Sequence, residues 1–421
     1  MRKLFALAAL ALTACAEVQD PLLETSLGIE YATAERWELP KVNADWKSAG
    51  PFETFGPACP QDGQAVMTEA CLFLNVFTPG GDKGAPVLVW FHGGGFRAGS
   101  GGDGPKTFTK DGIVVVTFNY RLGRLGFHDW AGWDESDPRN FGQADMVAAL
   151  EWVQENITEF GGDPNDVTLA GHSAGGMGVQ LMLTDPRASG KFQKAWAHAG
   201  YGAWPFPKAY NLSSEERARI RYGALETSKS PEEIVAETPY YHLPYVGAPF
   251  LREQPSTLWA KGRTAKMPIV TGWNSYDGAG TLGGAGFSIE GFLKRSDSPQ
   301  IRAAYAEDFA VSDTQAAQRI FGDMRYGISS LDLAEQAGGW SFYYDARQTG
   351  APGAYHGQQY DALFGGASSD FKTALLQFIE TGSPGWDVGE VGVFSPNFEA
   401  EASVLSETKR AALSEALAKI K

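Results

Sequence analysis

The ten residues 167–176, VTLAGHSAGG, constrain this chain more than any other stretch. Val167, Thr168, Leu169 and Ala170 read as a short buried strand, and Gly171-His172-Ser173-Ala174-Gly175 spells G-x-S-x-G. Residues 176–183 (GMGVQLML) then read as a helix that begins with small residues. At so tight a strand–turn–helix junction only glycine fits two residues to either side, and the serine oxygen is lifted clear of the sheet. The first N–H groups of the helix and its positive dipole end face whatever reacts there. The pattern predicts a nucleophile at Ser173 rather than a structural turn.

Around this stretch, apolar runs at 72–77 (LFLNVF), 87–91 (VLVWF), 113–118 (IVVVTF), 195–199, 268–272 (PIVTG) and 340–345 (WSFYYD) predict strands. Solid runs such as VLVWF suit strands covered on both faces. Residues 140–160 predict a long helix with Val147, Leu150, Val153, Ile157 and Phe160 along one face. Residues 369–381 and 407–420 predict late helices, whereas 27–46 reads as polar with scattered aromatics. Strands alternating with helices predict an α/β fold, a mostly parallel sheet with helices on both faces. A helical insert rich in Pro and Tyr, residues 204–266, is expected to lie over the site as a cap. A hydrophobic content of 43% argues against disorder. The net charge of −15 argues against nucleic acid as a partner, and against an anionic lipid surface.

Membrane contact is instead expected from the N-terminus. Arg2 and Lys3 precede the apolar run 4–12, which is too short to span a bilayer and reads as a secretory signal. Leu12-Thr13-Ala14-Cys15 resembles a bacterial lipobox. This predicts a signal peptide at 1–14, a lipidated Cys15 with a tether to residue 26, and a single catalytic domain over 27–421. Export to an oxidising cell envelope then leaves Cys59 and Cys71 as an even pair, expected to bridge.

His92-Gly93-Gly94-Gly95-Phe96 directly follows a predicted strand, so backbone amides there approach a ligand unobstructed. With the N–H after the nucleophile they form an oxyanion hole of Gly94, Gly95 and Ala174. The base is one of six histidines. The chain order Ser, acid, His removes His92, His128 and His172, and the side chain of His172 is expected to point elsewhere. His198 follows the serine too closely, and His242, in PYYHLPY, reads as pocket lining. His356, in GAYHGQQY, is the candidate base. For the acid, Asp277 lies just past the PIVTG strand, with Asp345 and Asp361 as alternatives.

These motifs resemble the type-B carboxylesterases, the α/β-hydrolases that include the cholinesterases. LGIEYATAERW, FGPACPQ, TEACLFLNVFTP, VLVWFHGGGF, FNYRLGRLGF and NFGQADMVAALEWVQENITEFGGDPNDVTLAGHSAGG carry the likeness, with GWNSYDG and YHGQQYDALFG further on. The resemblance implies an α/β-hydrolase fold with a reduced cap and Ser173, Asp277 and His356 as triad. It also implies a Cys59–Cys71 disulfide and a buried Arg36–Glu69 ion pair. Three positions depart from the family: His172 stands for the usual acid, His198-Ala199-Gly200 for Q-S-G, and Gln359 for Glu. Between Cys59 and Cys71 there is no aromatic residue to hold a quaternary ammonium, which argues against choline esters. The expected activity is hydrolysis of a small-molecule carboxylic ester with neither metal nor organic cofactor. Trp204, Phe206, Tyr240, Tyr241, His242, Phe287 and Phe292 are candidates for an acyl or alcohol pocket. The competing readings are a catalytically silent binding or adhesion module, and an amidase or lactonase.

Overall fold

Side chains of the strand Ala85–Phe91 alternate between two buried apolar clusters, Val87, Val89 and Phe91 on one side and Leu88 and Trp90 on the other. A period of two with both phases apolar is what a strand covered on both faces requires. The computed structural model describes residues 25–64, 67–80, 84–128, 140–207, 228–237, 240–247, 250–365, 369–395, 399–401 and 404–420. The apolar leader, Cys15 and residues 208–227 of the insert lie outside the described residues.

The strands are β1 (Thr25–Glu30), β2 (Ala32–Thr33), β3 (Lys41–Val42), β4 (Phe73–Phe77), β5 (Ala85–Phe91) and β6 (Val114–Phe118), followed by β7 (Gly162–His172), β8 (Lys194–His198), β9 (Ile269–Asn274), β10 (Trp340–Tyr344), β11 (Val391–Phe394) and β12 (Glu399–Glu401). Ten of them form one sheet in the order β1-β4-β6-β5-β7-β8-β9-β10-β11-β12. Pairing is parallel from β6 through β11 and antiparallel at both margins. On one face the helices Phe141–Asn156 and Ala174–Met182 contribute Met146, Leu150, Val153, Met177 and Leu181 to the larger core. On the other, Phe371, Leu375 and Phe378 of the helix Asp370–Thr381 pack with Trp90, Trp196 and Phe342. Each of these large side chains contributes roughly 1.5–3 kcal/mol by leaving water.

The expected strands and late helices appear within a few residues of their predicted bounds. The long helix ends at Asn156, and residues Ile157–Phe160 tighten into a 3-10 turn closed by Gly161 at φ 81°. The stretch 27–46, polar with scattered aromatics, holds β2, β3 and most of β1. Gly28, at φ 71° beside a register shift in the β1–β4 pairing, breaks the alternation that would have marked β1. Between β9 and β10 a run of helices fills a region where no element was predicted. Three of them open on Ser288, Ser298 and Ser312, whose side chains accept from the N–H three residues on. The last of these three, Asp313–Gly322, is joined to the helix Ile328–Ala337 by a π-helical turn, Asp323–Gly327. Cys59 and Cys71 form a disulfide. Gln61 in its loop exchanges two hydrogen bonds with the backbone of Gly99, bracing the glycine loop after β5.

Candidate active site

The carboxyl ends of β5, β7, β8, β9 and β10 converge on one edge of the sheet, where open α/β sheets hold their ligands. Ser173 sits at the end of β7 with φ 60° and ψ −123°, a backbone conformation that costs an L-residue roughly 1–3 kcal/mol. Close packing enforces it. A Cβ on Gly175 would lie 2.0 Å from the carbonyl oxygen of Phe91, and one on Gly171 would lie 2.5 Å from the carbonyl carbon of Gly175. The Ser173 N–H is held by the His198 carbonyl at 2.9 Å, and the helix Ala174–Met182 starts at the next residue.

The glycine loop lies alongside. Gly94 and Gly95 have φ of 110° and 65°, and a Cβ on Gly94 would stand 2.0 Å from the Ala98 carbonyl oxygen. The carbonyl of Gly94 accepts from Arg97 and Ala98 N–H at 3.0 Å each, and that of Gly93 from Nδ1 of His92 at 2.8 Å. Tyr120 braces the loop from below, stacking on His92 at 4.2 Å while its hydroxyl donates to the His92 carbonyl at 2.7 Å. The N–H groups of Gly94, Gly95 and Ala174 donate to no acceptor among the described residues. Three amides are therefore free to meet negative charge beside Ser173.

His356 and Asp277 are brought together: Nδ1 of His356 donates to Oδ1 of Asp277 at 2.8 Å. The other oxygen of Asp277 accepts from the Asn274 N–H at 2.6 Å. Burial raises the Asp277 pKa, while its hydrogen bond to His356 acts in the opposite direction. Of the alternative acids, Asp345 accepts from the Ser275 hydroxyl at 2.5 Å. The oxygen of Ser173 makes no hydrogen bond to His356 in this arrangement. Such contacts are commonly long in unliganded enzymes and tighten when substrate binds. The ring of His356 stacks on Tyr326 at 5.2 Å and meets the ring of His172 at 4.3 Å.

That last contact corrects an expectation. His172 does not point away: its Nδ1 meets the Tyr360 hydroxyl at 2.9 Å, and its ring packs between those of His356 and His198. Burial, with His356 and His198 adding to it, lowers its pKa well below the usual imidazole value, so it is neutral. His198 is also neutral, with burial lowering its pKa to about 3. Its Nε2 donates to Oδ1 of Asn274 at 2.7 Å, and Nδ2 of Asn274 donates to Gln359 at 2.8 Å and to the Tyr355 carbonyl at 2.7 Å. The three departures from the family pattern thus lie in one patch of neutral side chains around His356. Asn274 lies in the GWNSYDG motif without a role assigned to it and Tyr360 had no signal of its own; what they hold follows from pairing across β8, β9 and the His356 loop.

His172, Asp277 and His356 offer donor atoms within 4.8 Å of one another, a spacing that could hold a metal ion. Both oxygens of Asp277 are already engaged by hydrogen bonds, one of them to His356, which a metal would have to displace.

Of the pocket candidates, Trp204, Phe287 and Phe292 share one aromatic cluster with Phe321, in which Phe292 is fully buried. Phe206 contacts Tyr201, and Tyr240 is exposed. Tyr241 lies where a Cβ of Gly95 would be, and the His242 N–H donates to the Gly95 carbonyl at 2.9 Å. This part of the insert therefore rests on the glycine loop. Arg36 and Glu69 are paired, though partly exposed rather than buried.

Residues 17–370 match the model of the carboxylesterase family. A fumonisin B1 esterase of Sphingopyxis macrogoltabida is 31% identical over 409 residues, 83% of this chain and 75% of that protein. A para-nitrobenzyl esterase of Bacillus subtilis (strain 168) is 40% identical over 191 residues, 41% of this chain but only 39% of that protein. Among solved structures, a Geobacillus stearothermophilus carboxylesterase superposes with a TM-score of 0.77 at 25% identity, covering 92% of this chain and 96% of that one. The fold is that of the α/β-hydrolase carboxylesterases. Both the motifs of the elbow and those of the glycine loop fall inside the matched segment, and the chain belongs to the carboxylesterase family.

Proposed function

We propose that this chain hydrolyses carboxylic esters through an acyl intermediate on Ser173. His356 takes the serine proton as Oγ attacks the ester carbonyl, and the oxyanion forms against the N–H groups of Gly94, Gly95 and Ala174. Collapse breaks the bond to the alkoxy oxygen, which leaves as the alcohol with the proton from His356. Water then adds to the acyl group with His356 again as base, releasing the acid and restoring the serine. Asp277 holds the imidazole tautomer and stabilises its charged form. The observation that carries the reading is the 2.8 Å bond from His356 Nδ1 to buried Asp277, beside a strained serine and three unpaired amides. A neutral His172 supports it, because a second cation 4.3 Å from His356 would oppose proton uptake.

Ser173→Ala is expected to lower turnover of p-nitrophenyl butyrate by roughly 10⁶-fold while the melting temperature holds or rises as strain is relieved. Activity within tenfold of the parent, or no labelling of the parent by a fluorophosphonate, would sink the assignment. We further propose export and anchoring through lipid on Cys15, on the strength of the leader sequence. Cys15→Ala is then expected to move the protein from the membrane pellet to the soluble fraction.

A further inference from the structure

Arg325 is 2% exposed, yet it has no carboxylate partner among the described residues; its polar neighbour is the hydroxyl of Tyr201, on which it acts by charge and hydrogen bonding. Its Nε is both buried and unpartnered. The nearest acid in sequence, Asp323, is committed to Trp273, Tyr305 and Lys409, and Asp277 to His356 and Asn274. What surrounds the guanidinium instead is aromatic: it lies 4.1 Å from the ring centre of Tyr201 and 5.0 Å from that of Trp204, with Phe321 and Tyr326 each at 5.7 Å. Stacking of this kind steadies a cation from its faces and leaves its edge, where the N–H groups point, unsatisfied. The Tyr201 hydroxyl beside it is buried as well.

The box adjoins the reacting groups. Tyr326 touches Arg325 on one side and stacks on His356 on the other. Tyr201 is 6.4 Å from Phe96 of the glycine loop. Both Arg325 and Tyr326 sit on the π-helical turn Asp323–Gly327, an irregularity often found at functional sites. A guanidinium cannot shed its proton to escape burial, and an unpaired buried charge is strongly unfavourable. A fork of donors with an unanswered Nε, a phenol beside it and no carboxylate partner among the described residues matches one chemistry: a planar anion with two oxygens. We infer that Arg325 anchors a carboxylate carried by the ester substrate, at the end of its acyl chain or of its alcohol, so that the preferred substrates are anionic esters. This rests on the esterase reading and narrows it to a substrate class.

The test compares esters that differ only in that charge. Mono-p-nitrophenyl adipate against its methyl ester probes the acyl side; 4-butyryloxybutanoate against its methyl ester probes the alcohol side. The parent protein is expected to favour the anionic member of at least one pair by about tenfold or more in kcat/KM. In Arg325→Met that preference is expected to fall by roughly 10- to 150-fold, the worth of a charged hydrogen bond, mainly through KM. Arg325→Lys, which keeps the charge and loses the fork, is expected to fall between and serves if the methionine variant does not fold. No preference in either pair, or equal losses on both members in the variants, overturns the inference.

A binding measurement separates this from failure of the esterase reading. Adipate is expected to raise the melting temperature of the parent and of Ser173→Ala but not of Arg325→Met. That pattern upholds the anchor even if turnover proves to lie elsewhere. Equal stabilisation of all three, or of none, overturns it.

Discussion

Arg121 and Arg325 are buried to nearly the same degree, 4% and 2% exposed, and the chain treats them in opposite ways. Arg121 follows β6 and meets Asp145 of the helix Phe141–Asn156 in a two-pronged contact, Nε to Oδ2 at 2.9 Å and a terminal nitrogen to Oδ1 at 2.8 Å. Its own N–H also donates to that carboxylate at 3.0 Å. Charge, fork and backbone are all answered, and the pair locks a sheet edge to a helix. Among the described residues Arg325 receives ring faces and the Tyr201 hydroxyl, and no carboxylate. A third solution is seen in His92, His172 and His198, which are buried without countercharge and simply stay neutral. Arginine lacks that option, so an unpaired one marks a position kept at a cost in stability, as functional positions commonly are.

The contrast can be broken experimentally. Asp145→Asn leaves Arg121 charged and uncompensated, and should cost about 3–5 kcal/mol in urea unfolding; a loss under 1 kcal/mol would put the two arginines in one class. The histidines should act next. Unfolded imidazoles with pKa near 6.5 bind protons that the folded ones, at about 4 for His92 and about 3 for His198, refuse. Stability is therefore fully present above pH 6.5 and falls as pH drops toward 4, by roughly 1 kcal/mol per histidine between pH 7 and 5.5. A flat unfolding free energy over that interval would mean these rings bind protons in the fold as readily as in the unfolded chain. The smallest effect is expected at the unpaired arginine: Arg325→Met should shift stability by less than about 1 kcal/mol, or raise it, because an apolar chain of similar length replaces an unanswered charge. A loss comparable to that of Asp145→Asn would make Arg325 a structural residue.

The parts of the site that were legible in the sequence are those in which one short segment carries its own geometric demand. The elbow needs glycines at 171 and 175 because β5 and the helix start press against them, and the loop after β5 needs them because its backbone turns through positive φ. The pairing of Asp277 with His356 was foreshadowed by chain order and family motifs. What was not legible depends on register between distant strands. His172 lies directly across from His198 in the β7–β8 pairing, and only that alignment places both rings beside His356. The surroundings of Arg325 are equally non-local, since Tyr201 and Trp204 come from beyond β8 and Phe321 from a helix that no apolar periodicity had flagged.

The hydrogen bonds on the outer side of the glycine loop have a consequence for its inner side. A trans peptide unit is rigid and flat, so a carbonyl and the N–H of the following residue point in opposite directions from one plane. Fastening the Gly93 carbonyl to His92 therefore aims the Gly94 N–H, and fastening the Gly94 carbonyl to Arg97 and Ala98 aims the N–H of Gly95. Groups behind the loop thus act as the rear sight for two amides in front of it, and a displaced His92 would misdirect the nearer one without touching it.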